Sequence, residues 1–297
     1  MSAILEQAGG EGLVRADDAG PLLRWRYCGI DMFPHRGSRE IHMSVTVVTG
    51  SASGIGAAIR DQLLAAGQRV IGIDRQNADI VADLASAEGR KVAVDAVLEA
   101  CGGTLDGLVC CAGLGPTAPS SSLIVSVNYF GMSELVDGLA PALERGTKPA
   151  VLLIGSVASV HQGMDKLPMV GAMLANDEAG ARTQADAMAM PQAAYAGSKY
   201  AITVYARKKA VELGPKGIRL NVLAPGAVET PLLDASRADA RYGEAIRNFV
   251  APIGRNSAPD EIANVACFLQ SAQASFVHGT VVFVDGGMDA MTRPERF

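Results

Sequence analysis

The sequence predicts an α/β fold in which helices cover both faces of one parallel β-sheet, a doubly wound arrangement. Three observations support it: short apolar runs, longer segments with a helical period between them, and a glycine-rich turn after the first run. Continuous apolar character, without alternation, is typical of strands that are buried on both faces. Strands that alternate with helices at this spacing form a parallel sheet.

Six runs rich in Val, Ile and Leu are the predicted strands. They are Val45 to Val48, Val70 to Ile73, Gly107 to Cys111, Val151 to Ile154, Ile218 to Leu223 and Val281 to Val284. The predicted helices run from the glycine loop to about Ala66, Ser86 to Ala100, Leu123 to Glu144, and Ala193 to Leu213. Gly67 and Gly214 supply the stops after the first and the last of these helices.

Composition narrows the function classes. The net charge is -5, and the basic residues are scattered, which argues against a nucleic-acid partner and favours a small molecule. No apolar run approaches the roughly 18 to 20 residues that span a bilayer, so we expect a soluble protein with no membrane segment. The five cysteines lack metal-type spacing and are odd in number, which predicts neither a metal site nor a disulfide framework and favours a reducing cytoplasm.

Residues 1–42 differ from the rest of the chain. They carry charges where a signal peptide needs an apolar stretch, and they show no sustained period. We expect an N-terminal extension there, either a flexible tail or a segment from an upstream start, and one domain over residues 43–297. Trp25, the only tryptophan, would argue for a functional role if the segment were ordered.

The turn after the first strand has glycines at the spacing G-x-x-x-G-x-G. Such a turn lets the backbone approach a pyrophosphate and presents the N-terminus of the next helix to it, as in a Rossmann-type dinucleotide site. Many turns are glycine-rich, but the position between a strand and a helix favours a cofactor loop. The candidate cofactor-binding residues in the loop are Gly50, Ser53, Gly54, Ile55 and Gly56.

An acidic residue closes the second predicted strand. Asp74 lies 18 positions beyond Gly56, close to the spacing expected for a carboxylate that binds the adenosine ribose. A carboxylate there repels a 2′-phosphate, so NAD is favoured over NADP. Two alternatives remain open: Arg75 could pair with that phosphate, and Asp74 could be an ordinary residue of a strand-end turn.

Tyr195 and Lys199 are four positions apart, which places them on one face of a helix, about 6 Å apart along its axis. A free phenol has a pKa of about 10 and is a poor base near neutral pH. We expect the ammonium and an oxidised nicotinamide to lower the pKa of Tyr195, which makes it a usable acid–base catalyst.

These motifs, with Asn221 to Gly226 and Val284 to Gly287, resemble the classical short-chain dehydrogenase/reductases over residues 43–297. The resemblance implies a catalytic set of Asn128, Ser156, Tyr195 and Lys199, in which Ser156 bonds the substrate oxygen and Asn128 supports the lysine's proton relay. Ser159 competes with Ser156 for the serine role, and Asn128 could instead be a polar helix residue bonded to backbone.

The resemblance also implies further cofactor contacts. Asp83 and Leu84 would lie by the adenine; Pro225 and Gly226 would lead to Val228 and Thr230 at the nicotinamide carboxamide; and the turn Cys111-Ala112-Gly113 would let the cofactor approach. The family usually has asparagine at position 111, so its structural hydrogen bond is either missing or replaced here. Adjacent Cys110 and Cys111 are expected to be packed core residues.

Ser156 and Tyr195 are 39 positions apart, a longer separation than is usual in the family, which indicates an insertion near residues 162–190. Its methionines either shape a pocket for a bulky apolar ligand or merely pack a helix pair onto the body. The insertion could also block the surface through which family members form tetramers, which favours a homodimer. His161 is expected to be structural.

The insertion, the turn Cys111 to Pro116, the segment Ser126 to Gly131 and the ending Asp285 to Ala290 resemble the bacterial 3-alpha-hydroxysteroid dehydrogenase/carbonyl reductase group of that family. The resemblance implies reversible, NAD-dependent oxidation of the 3-alpha-hydroxyl of steroids such as androsterone or bile acids. Two alternatives are a short-chain dehydrogenase for another alcohol or carbonyl substrate, such as a sugar or polyol, and a non-catalytic NAD-binding sensor. A sensor would not need the proton relay.

Overall fold

A parallel β-sheet forms the centre of the computed structural model, which describes residues 43–248 and 250–296 and the short segments Arg26–Tyr27 and Ile30–Asp31. Contacts divide the chain into residues 1–42 and 43–297. In the first unit, the two short segments pair as antiparallel strands. The other residues of 1–42, including Trp25, lie outside the described ranges, so the expectation of a flexible extension stays a prediction.

The sheet has seven described strands, all paired in parallel. They are β1 (Val45–Thr49), β2 (Arg69–Asp74), β3 (Ile80–Val81), β4 (Gly107–Cys110), β5 (Ala150–Ile154), β6 (Arg219–Pro225) and β7 (Val281–Val284). Their order is β3-β2-β1-β4-β5-β6-β7. This confirms the predicted doubly wound sheet, and the order reverses between β1 and β4, where a ligand crevice is expected at the carboxyl ends.

The helices cover both faces of this sheet. They are α1 (Gly54–Ala65), α2 (Ala87–Ala100), α3 (Ser121–Val125), α4 (Gly131–Glu144), α5 (Pro168–Leu174), α6 (Glu178–Met188), α7 (Pro191–Leu213), α8 (Pro231–Ala238), α9 (Gly243–Asn248), α10 (Pro259–Gln270) and α11 (Met288–Thr292). Neighbouring strand residues belong to different core clusters: Val47 packs with α2, α4 and α7, whereas Val48 packs with α1 and α10. Burial on both sides explains the uninterrupted apolar runs.

The segment predicted as one helix from Leu123 to Glu144 is divided in three. Between α3 and α4, residues Ser126–Phe130 form one turn of π-helix, and all five are buried. A π-helix has one more residue per turn than an α-helix and occurs mainly as a single turn at functional sites. Asn128 lies at its centre.

The insertion folds as a 3₁₀ turn (Met164–Lys166) followed by α5 and α6, which pack on α7 and α3. Met169, Val170 and Met173 are fully buried in this packing. A Cβ on Gly197 of α7 would lie 2.6 Å from the terminal methyl of Met169, so the glycine permits the close approach of α5. Met169 and Met173 therefore pack the helix pair onto the body, which is one of the two predicted roles, whereas Met190 is 56% exposed.

None of the described helices is long and apolar enough to cross a membrane. Within the described ranges, no three His, Cys, Asp or Glu side chains are grouped so that they could hold a metal ion.

Candidate functional site

A cavity of about 610 Å³ follows the carboxyl ends of the central strands. Every residue of the implied catalytic and cofactor-binding sets lines this cavity except Asn128, which is fully buried; the competing Ser159 does not line it. The sites for a dinucleotide and for an acid–base pair are therefore parts of one continuous space.

The glycine loop is as tightly packed as a pyrophosphate site requires. A Cβ on Gly50 would lie 2.9 Å from Ala112 Cα, and one on Gly56 would lie 2.1 Å from the Gly50 carbonyl oxygen. Helix α1 begins at Gly54, and the side chain of its N-cap, Ser53, makes no capping hydrogen bond. The first backbone N–H groups of α1 are thus available to an anion, which fits a phosphate ligand.

Asp74 is fixed at the end of β2 by backbone donors. Its Oδ2 accepts a hydrogen bond from the Ala52 N–H at 3.0 Å, and its Oδ1 accepts one from the Arg75 N–H at 2.7 Å. Each carboxylate oxygen retains acceptor capacity for a ribose hydroxyl. The exposed Arg75 also lines the cavity.

Thr49 holds the backbone of the turn after β4. Its Oγ1 accepts hydrogen bonds from the N–H groups of Cys111 and Ala112, both at 3.0 Å, and Thr49 is 1% exposed. These two bonds go to backbone groups and do not depend on the side chain at position 111. Cys110 and Cys111 are both free. Burial raises the pKa of Cys111 to about 12, so its thiol stays protonated.

Lys199 is held beneath the cavity floor. Its Nζ donates a hydrogen bond of 2.7 Å to the carbonyl oxygen of Ile154, the last residue of β5, and the residue is 4% exposed. Burial lowers the pKa of Lys199 to about 8, because the ammonium loses most of its hydration.

Tyr195, one turn earlier on α7, forms a side-chain hydrogen bond with Ser156. Burial nevertheless raises the pKa of Tyr195, and the bond from Ser156 only partly offsets this rise. The protein by itself does not lower this pKa, because desolvation of the phenolate outweighs the polar contacts, and the lowering expected with an oxidised nicotinamide stays a prediction for the cofactor-bound site.

The two serines considered for the substrate oxygen have different positions. Ser156 Oγ accepts a hydrogen bond from the Ala158 N–H at 3.1 Å, and the residue lines the cavity beside Tyr195. Ser159 is buried and does not line the cavity. His161 is exposed and is also outside the lining. The geometry favours Ser156 as the partner of a substrate oxygen.

Asn128 connects the loop after β4 to helix α7 from behind the cavity. Its Oδ1 accepts from the Leu114 N–H at 2.8 Å, and its Nδ2 donates to the Leu114 carbonyl at 3.0 Å and to Ser198 Oγ at 3.2 Å. Ser198 immediately precedes Lys199. A Cβ on Gly113 would lie 3.3 Å from Asn128 Oδ1 and 3.6 Å from Lys199 Nζ, so both side chains lie next to Gly113.

Thr230 lies against the glycine loop. A Cβ on Gly54 would lie 3.3 Å from Thr230 Cγ2. Thr230 Oγ1 donates to the Val228 carbonyl at 3.1 Å and accepts from the Leu233 N–H at 3.4 Å as the N-cap of α8. Pro225 and Gly226 bring the chain here from β6. This lining fits the inner end of a dinucleotide.

An apolar part of the cavity lining, called the apolar wall below, was not predicted. It consists of Leu114, Leu123, Val127, Leu232, Leu233 and Ile246. No residue of the insertion lines the cavity, so the idea that its methionines shape the ligand pocket is wrong. The wall comes from the loop after β4, α3, the π turn, α8 and α9, and the pair Leu232-Leu233 directly after Thr230-Pro231 is the sequence signal that could have identified it.

Two family models match the chain. Residues 44–172 match the short chain dehydrogenase model, and residues 179–289 match a model described as enoyl-(acyl carrier protein) reductase. The 3-alpha-hydroxysteroid dehydrogenase/carbonyl reductase of Comamonas testosteroni is 51% identical over 257 residues, which are 86% of this chain and 100% of that one. The cis-4-hydroxycyclohexanecarboxylate dehydrogenase of Sinomonas cyclohexanicum is 34% identical over 83% of this chain and 97% of its own.

One solved structure combines high identity with a similar fold. The 3-alpha-hydroxysteroid dehydrogenase from Pseudomonas sp. B-0831, complexed with NADH, is 59% identical with a TM-score of 0.85. The match covers 86% of this chain and all of that one. The part that matches these relatives agrees in extent with the domain that carries the sheet.

Proposed function

The chain belongs to the short-chain dehydrogenase/reductase family, and we propose that it catalyses the NAD-dependent, reversible oxidation of a secondary alcohol to a ketone. The proposed substrate group is the 3-alpha-hydroxyl of a steroid. The observation that carries the proposal is that the Ser156–Tyr195–Lys199 group, a dinucleotide cradle and an apolar wall all border one cavity.

In the proposed reaction, Ser156 Oγ holds the substrate oxygen, and Tyr195 Oη takes up the hydroxyl proton when the phenol is in its deprotonated form. Lys199 anchors this end of α7 to β5 through the Ile154 carbonyl and supplies positive charge below the phenol. The nicotinamide, when bound, accepts or returns the hydride and adds positive charge in its oxidised form. Because the protein alone raises the pKa of Tyr195, the tyrosine stays protonated in the empty site.

NAD is the proposed cofactor, with its ribose on Asp74. The Pseudomonas relative is described with NADH, and the carboxylate position is compatible with two ribose hydroxyls. Gly50 and Ser53 to Gly56 would hold the pyrophosphate, and Asp83 and Leu84 would lie by the adenine. The inner contacts would come from Cys111 to Gly113, Pro225, Gly226, Val228 and Thr230.

Replacing Asp74 by alanine is expected to weaken NAD binding by about 2 kcal/mol, roughly thirtyfold, because charge-assisted hydrogen bonds are lost. NADP binding should weaken less or improve, since the repulsion of a 2′-phosphate disappears. Titration calorimetry with both cofactors measures the change. Asp79→Ala is the matched control, because Asp79 bonds the Gly72 N–H on the same strand but does not line the cavity. An unchanged NAD to NADP ratio in Asp74→Ala would contradict the assignment.

The steroid proposal rests on the wall and on the relatives. A wall of leucine, valine and isoleucine side chains offers hydrophobic contact to a bulky, rigid ligand and few partners for sugar hydroxyls. Both of the most similar relatives described above have 3-alpha-hydroxysteroid dehydrogenase in their names.

A panel of substrates tests this proposal. We expect NADH formation with 3-alpha-hydroxysteroids and much slower formation with 3-beta epimers, simple alcohols and sugars. Faster turnover of a polyol or of a small cyclic alcohol would contradict the steroid as the substrate, but it would still support a dehydrogenase. No turnover of any alcohol, together with tight NAD binding, would instead support a sensor.

We also propose a homodimer. Strand β7 ends the order of the described strands, Phe276 is fully exposed, and Phe268 of α10 is 43% exposed. Large exposed apolar groups on α10 and on the connection from α10 to β7 suit a self-complementary contact. A reducing cytoplasm is the proposed location, since the described cysteines are free.

Replacing Phe276 by aspartate is expected to convert the dimer to a monomer, because the charge would be buried in the contact. Light scattering coupled to size exclusion measures the mass. Val211→Asp is the control, since Val211 is 77% exposed on α7, away from β7 in the sequence. If Val211→Asp dissociates the dimer and Phe276→Asp does not, the contact is on the α7 face.

A further inference from the structure

The insertion contacts the segment that carries Asn128, although it does not line the cavity. Ser126, the first residue of the π turn, donates a hydrogen bond of 2.9 Å from its Oγ to Glu178 Oε1 at the start of α6. Arg182, one turn later on α6, donates to the same Ser126 Oγ at 3.2 Å. Ser126 is fully buried, so these are its contacts in the interior of the protein.

Glu178 is itself fixed by a buried arginine. Arg90 of α2 is 1% exposed and forms an ion pair with Glu178 through Nη2 at 2.5 Å, and it also binds Glu134 of α4 through Nε at 2.7 Å. Its Nη1 donates to the Leu84 carbonyl at 3.3 Å. A buried guanidinium with two carboxylate partners has little freedom to move, so it gives Glu178 a defined position.

The other end of α6 holds the start of α3. Asp186 Oδ1 accepts a hydrogen bond from the Ser122 N–H at 2.8 Å. Helix α3 has only five residues, and such a short helix is not stable on its own. Its two ends are therefore both tied to α6, by Asp186 at the start and by Glu178 at the π turn.

This segment in turn supplies both chemistry and shape to the cavity. Asn128 bonds Leu114 and Ser198, the neighbour of Lys199. Leu123 and Val127 belong to the apolar wall. A π turn is rarely favoured by local sequence alone, so contacts outside the turn must hold it.

We propose that the insertion acts on the reaction indirectly. Glu178 of α6 is a positioning residue that holds the π turn, and it thereby fixes the positions of Asn128 and of the apolar wall. The proposal rests on the proposed dehydrogenase function. It gives the insertion a role in specificity without any contact between the insertion and the substrate.

The test compares two carboxylates that share Arg90. Glu178→Ala removes the carboxylate that also holds Ser126, whereas Glu134→Ala removes the carboxylate that has no bond to the π turn. Ser126→Ala removes the contact to the turn and leaves the Arg90–Glu178 pair in place. We expect Glu178→Ala and Ser126→Ala to lower kcat for the preferred alcohol about tenfold, because small misplacements of positioning groups are costly.

Three further readouts separate positioning from a general loss of stability. In Glu178→Ala and Ser126→Ala, the KM for the alcohol and the pH profile of kcat should change, whereas the Kd for NAD should stay within about twofold of wild type. Glu134→Ala should resemble wild type in all three quantities. The double variant Glu178→Ala/Ser126→Ala should lose no more than Glu178→Ala alone, since both act through one contact. Equal effects of Glu178→Ala and Glu134→Ala on kcat would overturn the proposal.

Amide hydrogen exchange decides the question even if the enzyme acts on no alcohol in the panel. In NAD-bound protein, Glu178→Ala and Ser126→Ala should increase exchange over residues 121–130, and Glu134→Ala should not. If Glu178→Ala is too unstable to purify, the exchange of Ser126→Ala can be compared with that of Glu134→Ala instead. Unchanged exchange in Ser126→Ala would show that the turn does not depend on α6.

Discussion

Replacing Tyr195 by phenylalanine is expected to lower kcat for alcohol oxidation about a thousandfold or more, because it removes the group that takes up the hydroxyl proton. Phenylalanine keeps the ring and its packing, so NAD affinity should change by less than about threefold. Steady-state rates of NADH formation and calorimetric titration with NAD measure the two effects separately.

The pH dependence of wild type gives a second measurement on the same residue. Burial raises the pKa of Tyr195, so the base form that oxidation needs increases as the pH rises. The value of kcat/KM for oxidation should therefore rise toward alkaline pH, and that for ketone reduction should fall. Tyr195→Phe should lose this dependence together with its activity.

Tyr200→Phe is the matched control. Tyr200 lies on the same helix α7 but does not line the cavity, so its phenol should be dispensable. If Tyr195→Phe kept near-normal turnover, or if Tyr200→Phe lost as much activity as Tyr195→Phe, Tyr195 would not be the acid–base group.

Much of the fold was predictable because the relevant signals are local. The strand β1 and the glycines at 50, 54 and 56 are adjacent in sequence, and Tyr195 and Lys199 are one helical turn apart. Burial on both faces makes the central strands continuous apolar runs, so the doubly wound sheet was predicted correctly. Strand β3 was missed because two residues, Ile80 and Val81, cannot show a period.

The unpredicted features depend on contacts between distant segments. Nothing in the residues Ser126–Phe130 distinguishes a π turn from an α-helix, and its partner Glu178 is 52 positions from Ser126. The apolar wall joins Leu123 to Leu232, and only the fold brings these residues together. The insertion's methionines have the composition of a pocket, but Met169 and Met173 are buried in the core, where Met169 packs on Gly197, and Met190 is 56% exposed.

The chemistry proposed for the site has a cost in stability, because it keeps Lys199 charged in a buried position. Its pKa falls from the ordinary 10.5 to about 8 because burial disfavours the ammonium. At 1.36 kcal/mol for each pH unit, keeping the charged form in the folded protein costs about 3 kcal/mol near neutral pH. A group retained at such a cost is typical of a functional site.

Replacing Lys199 by methionine is therefore expected to stabilise the protein without cofactor by up to about 3 kcal/mol at pH 7, while turnover is lost. The sign of the pH dependence follows from the proton count. Between pH 8 and 10.5 the unfolded chain still binds the proton that the folded protein has released, so wild-type stability rises with pH across this window. The advantage of the methionine variant should shrink over the same window.

Urea unfolding of both proteins at pH 7, 9 and 10.5 measures this difference, and a second lysine on α7 provides the control. Asp137 and Glu212 bind Lys209 and raise its pKa despite partial burial, so its ammonium stabilises the fold at neutral pH. Lys209→Met should thus lose stability at pH 7 where Lys199→Met gains it. If both variants shifted the free energy of unfolding in the same direction, or if the Lys199→Met difference did not change with pH, burial of the Lys199 charge would not be the cause.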